Sequence, residues 1–209
     1  VNPSAIYSQK LTKRLAMSLY ADYQRADGNY TYKMHNGNKL IKEKRNNSDI
    51  QAYRGELNLY SQLSDNQELN GKVYLYHSKR GLPGGVIYDN PYSFERLHDK
   101  NYFAQLNYEN RFNGKWKLKA NGKFNYSWSR DINGQTAVKS DDRFKQTESY
   151  GSVVAWHNFG RGFSASLAQD FSYNYLSTTL KNCQYPERYT SLTALAAQFK
   201  SNEVLITAS

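Results

Sequence analysis

The stretch Trp116-Lys117-Leu118-Lys119-Ala120-Asn121-Gly122-Lys123-Phe124-Asn125-Tyr126-Ser127-Trp128 decides the fold class. Its even-numbered residues are Trp, Leu, Ala, Gly, Phe, Tyr and Trp; its odd-numbered residues are Lys, Asn or Ser. Successive side chains of a strand point to opposite faces, so the segment predicts a strand with one apolar and one polar face. The apolar face begins and ends with tryptophan. With a rise of about 3.3 Å per residue and a tilt of about 40°, the two indoles stand roughly 30 Å apart along a membrane normal. That separation fits two aromatic girdles bounding a lipid-facing band. A strand of a soluble sandwich would alternate equally well. It would give no reason for Trp at both ends and Ala and Gly in the middle.

The same design recurs outward from this segment. Leu15, Met17, Leu19, Ala21 and Tyr23 alternate with Ala16, Ser18, Tyr20, Asp22 and Gln24. Tyr53, Gly55, Leu57 and Leu59 form another apolar face, and Leu69, Gly71, Val73 and Leu75 a third. Phe163, Ala165, Leu167, Phe171, Tyr173 and Tyr175 form a fourth, interrupted once by Gln169. Tyr23, Trp116, Trp128, Phe163, Tyr173 and Tyr175 are the expected lipid-facing girdle. Runs near 102–112, 149–158 and 190–199 also read as strands. In 149–158, Val153 and Val154 compete for one face, so that strand is left unassigned. Connections alternate between short (Lys10–Arg14, Ser64–Gln67, Asn113–Lys115, Gly160–Gly162, Lys200–Glu203) and long (about 26–49, 79–100, 130–147, 176–189). Short turns on one side and long loops on the other are the rhythm of an outer-membrane barrel. Asn113-Gly114 suits a tight hairpin turn. The expected fold is therefore all-β, an antiparallel up-and-down transmembrane β-barrel segment of about ten strands, in the outer membrane of a Gram-negative bacterium.

Composition agrees. Among 209 residues there are 19 Tyr, aromatics make up 15%, and mean hydropathy is only −0.85. A barrel wall hides its hydrophobicity because only alternate side chains meet lipid. The net charge of +10 does not gather on a helical face, so no nucleic-acid partner is expected; the lysines alternate along strands or lie in loops. Cys183 is the single cysteine and has no metal-ligand spacing around it. His35, His77, His98 and His157 form no metal-binding pair. Arg80-Gly81-Leu82-Pro83-Gly84-Gly85 lacks the Lys-Ser/Thr of a phosphate loop, and Asp141-Asp142 is read as a solvated acidic pair. No GxSxG elbow occurs. No catalytic residue, metal or cofactor is nominated, and the chain is expected not to be an enzyme. Val1 follows no signal-peptide pattern, and the chain reads as the middle of something longer.

Tyr76-His77-Ser78-Lys79-Arg80-Gly81-Leu82-Pro83-Gly84-Gly85-Val86-Ile87-Tyr88, followed by Arg96-Leu97-His98-Asp99-Lys100 and Tyr102-Phe103, resembles a TonB-dependent outer-membrane receptor, and most closely the vitamin B12 receptor-like branch. Leu19–Tyr23 with Asp27-Gly28-Asn29-Tyr30, and Asn47-Ser48-Asp49-Ile50, also have that family's look. The resemblance implies that residues 1–209 are part of a 22-stranded, plugged barrel. It further implies a plug domain and a TonB-contacting segment, neither visible in this chain. The partners implied are outer-membrane lipid, TonB through the plug, and a scarce large ligand such as a corrinoid, siderophore complex or glycan. Tyr30, Tyr32, Arg80, Tyr88, Tyr92 and Arg96 are the candidate ligand contacts by position. The competing readings are a passive porin or an outer-membrane enzyme barrel, and a soluble β-rich binding module.

Overall fold

The computed structural model describes residues 1–85, 93–134, 139–201 and 203–208. Twelve strands follow one another: β1 (Ser4–Lys10), β2 (Leu15–Ala26), β3 (Thr31–Asn36), β4 (Lys39–Lys44), β5 (Ile50–Ser64), β6 (Gln67–Leu82), β7 (Glu95–Phe112), β8 (Trp116–Asn133), β9 (Ser140–Gly160), β10 (Phe163–Thr178), β11 (Glu187–Lys200) and β12 (Leu205–Ala208). Ten of them form one antiparallel meander in chain order; β3 and β4 pair separately as a hairpin in the connection from β2 to β5. The sheet is not closed, and β1 and β12 stand at its two ends.

Cross-strand register carries the alternation from strand to strand. One apolar row runs Leu19, Leu57, Val73, Ala104, Phe124. Another runs Leu59, Gly71, Leu106, Gly122, Gly151, Phe171, and the facing glycines Gly122 and Gly151 leave a shallow depression there. Register also resolves β9. Val153 lies between Ala120 and Gln169 on the apolar face, whereas Val154 lies between Lys119 and Ala168 on the polar one. Among the described residues no second layer covers the apolar face: Phe124 is 50% exposed, Leu106 59% and Leu195 68%. Ala52 is the sole buried hydrophobic residue among the described residues. A soluble sandwich buries such a face under a second sheet, and a contiguous uncovered patch marks an interaction surface.

The strands outrun the stretches of clear alternation. β6 continues to Leu82, β7 already begins at Glu95, β8 and β9 reach Asn133 and Ser140, and β10 and β11 reach Thr178 and Glu187, so the last three long connections are shorter than the sequence pattern indicated, while the first spans 27–49 as expected. Beyond the aromatic row charged residues such as Lys79, Arg96 and Arg130 enter the apolar parity while Ala52, Leu97 and Phe144 sit on the polar one. Periodicity fades there while the backbone ladder continues.

Candidate functional site

The end of the sheet bearing the long connections holds a knot built from four separated segments. At Gly81 the N–H donates to the Asp49 carbonyl at 2.9 Å. Arg96, facing Gly81 across the ladder, reaches over that bare Cα to Asp49, donating to both carboxylate oxygens at 2.6 and 2.8 Å. Asn47 sits in the left-handed region, with φ 50°. Its side-chain amide donates to the carbonyls of Leu82 (3.2 Å) and Glu95 (2.8 Å), and its Oδ1 accepts from Arg96 at 3.2 Å. Any Cβ on Gly81 would lie 2.5 Å from that Oδ1, so the close approach requires glycine. The fourth segment enters through Gly28, with φ 63°, whose carbonyl accepts from Ser48 Oγ at 2.6 Å. Ser93 Oγ donates to the Leu82 carbonyl at 2.5 Å, and the Arg45 guanidinium donates to the Gly84 carbonyl.

Hydrogen bonding from the Arg96 guanidinium holds the Asp49 carboxyl below its ordinary value of 3.8. A depressed folded value means that the pair's stabilisation is fully present above 3.8 and is lost as pH falls through the lower folded value. The knot is therefore expected to loosen below pH 3.8. Amide exchange at Gly81, corrected for its intrinsic rate, reads this directly. Asp49→Asn should already show faster exchange at neutral pH and lose the acid-dependent step; an unchanged step in Asp49→Asn would assign it elsewhere.

The polar face carries a charge ladder. Asp22 pairs with Arg54 (3.5 Å), Glu56 with Lys72 (2.8 Å) and Arg80 with Asp99 (3.3 Å). Asp99 also accepts from Ser129 at 2.8 Å. Near the short turns, Glu109 meets Lys117 (2.7 Å), Arg111 (2.9 Å) and Lys119 (3.5 Å). Lys72 and Lys123 lie over the Phe103 ring, which stacks on Tyr74 at 5.0 Å. At the long-loop end of the same face, Asp131 stands opposite Asp142, with its Oδ1 buried and without a hydrogen-bond partner among the described residues.

Of the residues nominated from sequence, Arg96 lies at the centre of the knot. Arg80 points to the opposite face, toward Asp99, so the structure does not bring the two arginines to one ligand. Tyr30 and Tyr32 sit together at the base of the β3–β4 hairpin, their rings 6.4 Å apart, with Tyr30 exposed. Tyr88 and Tyr92 lie outside the described residues. Tyr23 packs on Tyr53 at 5.0 Å, and Trp116, His157, Phe159 and Phe163 form a chain of ring contacts at 4.1, 4.5 and 5.3 Å along the short-turn rim. Tyr173 packs on Tyr189 at 4.8 Å, and Tyr175 and Trp128 share the apolar parity. Sequence reading passed over Asp131. It fell within a stretch taken as loop, and only cross-strand register sets it against Asp142. No group of three His, Cys, Asp or Glu side chains able to hold a metal occurs among the described residues, and Cys183 is exposed.

No protein-family model and no curated protein matches the chain. Among solved structures, it is similar to the outer membrane protease OmpT from Escherichia coli. The match has 13% identity and a TM-score of 0.32, and covers 93% of this chain and 81% of that one. The expectation that the chain is not an enzyme is corrected here: a structure it matches is by name a protease, and that expectation is given up. A likeness of this size assigns this chain neither a reaction nor a residue role.

Proposed function

We propose that residues 1–209 are wall strands of a plugged β-barrel in a Gram-negative outer membrane. In this reading the protein is a TonB-dependent receptor that takes up a scarce large ligand, as the vitamin B12 receptor-like resemblance implies. The knot carries the reading. Gly28, Asn47–Asp49, Gly81–Gly84 and Arg96, which belong to the segments in which the resemblance resides, meet at one place and tie the first two long connections to the wall. A large ligand is held well only by loops already fixed, because ordering loose ones on binding lowers affinity. The uncovered apolar face supports a lipid environment, and the charge ladder of the polar face supports a hydrated interior.

Calorimetry with cyanocobalamin on the purified protein in detergent tests this. Tight one-to-one binding that weakens in Arg96→Ala is the expected result. Silence toward cyanocobalamin removes the branch assignment, and silence also toward haem, siderophores and oligosaccharides removes the receptor reading.

An outer-membrane enzyme barrel is the second reading, favoured by the facing pair Asp131 and Asp142. Asp131 has one buried, partnerless carboxylate oxygen and faces a second carboxyl across the ladder, and two such groups side by side favour keeping one protonated as a general acid while the other serves as base. Hydrolysis of a peptide or lipid substrate that disappears in Asp131→Asn, with ligand binding absent, would favour this reading over the first.

A further inference from the structure

Among the described residues, cations on the apolar face are confined to one end of the strands. Following that parity by register, Arg25 in β2, Lys79 in β6, Arg96 and Lys100 in β7, Arg130 in β8, and Arg143 and Lys145 in β9 all lie at or beyond the row containing Tyr23, Tyr53 and Trp128. The short-turn half of the same face carries no Lys or Arg within its strands. Leu15, Leu69, Trp116, His157 and Phe199 occupy it. The asymmetry survives subtraction of the ion pairs. Arg96 is neutralised by Asp49, and Arg130 and Arg143 by Asp141. Arg25 faces Asp27 at 4.0 Å. Lys79, Lys100 and Lys145 have no carboxylate within 4.0 Å among the described residues.

Register places Lys100 and Lys145 on either side of Trp128, with the Lys100 ammonium 4.9 Å from the indole and the Lys145 ammonium 5.8 Å from the Tyr126 ring. Lys79 is paired with His98 one row further out. Neighbouring strands lie about 4.8 Å apart, so the row from Lys79 on β6 to Lys145 on β9 extends over three strand spacings, roughly 15 Å, which suits a headgroup carrying several phosphates rather than a single one. Below Lys79 and Lys100 the face runs through Leu75, Val73, Tyr102, Ala104 and Leu106, and below Lys145 it passes the small polar Thr147 and Ser149 before Gly151 and Val153. A molecule that satisfies both halves has phosphates at one end and several acyl chains at the other.

We propose that Lys79, Lys100 and Lys145 form a binding row for a phosphorylated, polyacylated lipid of the leaflet that meets the long-loop end, with its phosphates on the lysines and its chains along the apolar face. The inference depends on the barrel reading for one thing only, that this face lies in lipid.

The test uses the purified protein in phosphatidylcholine nanodiscs, titrated with fluorescent lipopolysaccharide and with the same lipid after enzymatic removal of its phosphates. Affinity for the phosphorylated lipid is expected to fall about fivefold for each of Lys79→Gln, Lys100→Gln and Lys145→Gln, and about a hundredfold for the triple variant. The dephosphorylated lipid should bind wild type as weakly as the triple variant binds the intact lipid. Millimolar inorganic phosphate should not compete. The inference is overturned if the triple variant binds as wild type does, if both lipids bind alike, or if inorganic phosphate displaces the lipid. The single variants carry the test should the triple variant not fold. Heat-modifiable migration on gels reports the folded barrel separately. Loss of that shift in wild type would count against the barrel. A retained shift without lysine dependence would count against the lipid row alone.

Discussion

Phe124→Arg is expected to destabilise the folded, membrane-inserted protein by about 2–4 kcal/mol, whereas Asn125→Arg should change it by less than about 0.5 kcal/mol. Phe124 lies on the apolar face between Ala104 and Ser149, near the middle of the stretch bounded by Trp116 and Trp128, and half of its surface is uncovered. In water a half-exposed position tolerates a charge, so a soluble module predicts a small effect. In hydrocarbon the guanidinium has no solvent and no partner, and the full penalty is felt. Asn125 is adjacent in sequence but on the polar face, between Phe103 and Glu148, where an added arginine gains a carboxylate neighbour. Urea titration of both variants folded into phosphatidylcholine vesicles separates the cases. Equal stabilities would mean that the apolar face does not meet lipid.

Gly81→Ala is expected to cost about 1–3 kcal/mol, the range for forcing a methyl group into filled space, and to release the knot. The added carbon would stand 2.5 Å from Asn47 Oδ1 and 2.6 Å from the Asn47 carbonyl carbon. Since the second of these is backbone, rotating one side chain does not relieve the clash. The segment Asn47–Asp49 must move, taking with it the Arg96 hydrogen bonds to Asp49. Gly55→Ala is the matched control: it also lies on the apolar parity, and a Cβ there meets nothing within 4 Å. Limited proteolysis between Leu82 and Glu95, together with melting followed by circular dichroism, should show earlier cleavage and a lower transition in Gly81→Ala only. A Gly81→Ala protein as resistant as Gly55→Ala would show that the knot does not hold the loops.

The chain spells out its strands wherever one face is greasy and the other polar, because alternation is local and needs no partner. For that reason Trp116–Trp128, Leu15–Tyr23 and Phe163–Tyr175 were legible as strands, and the positive φ of Asn113 and Gly114 was legible as a turn. The sequence also displayed the pieces of the knot, as separate short segments between Asp27 and Arg96. Their meeting is a property of register, which pairs Gly81 with Arg96 and sets Asp49 beside both, over separations that no local pattern encodes. Register likewise assigned Val153 and Val154 to opposite faces, set Asp131 against Asp142, turned Arg80 away from Arg96, and gathered Lys79, Lys100 and Lys145 at one end of the apolar face. Side-chain period alone thus determined what kind of sheet this is. Which residues share a site was decided only by the tertiary structure, because a hydrogen-bonded ladder fixes neighbours at about 4.8 Å regardless of how far apart they stand in the chain.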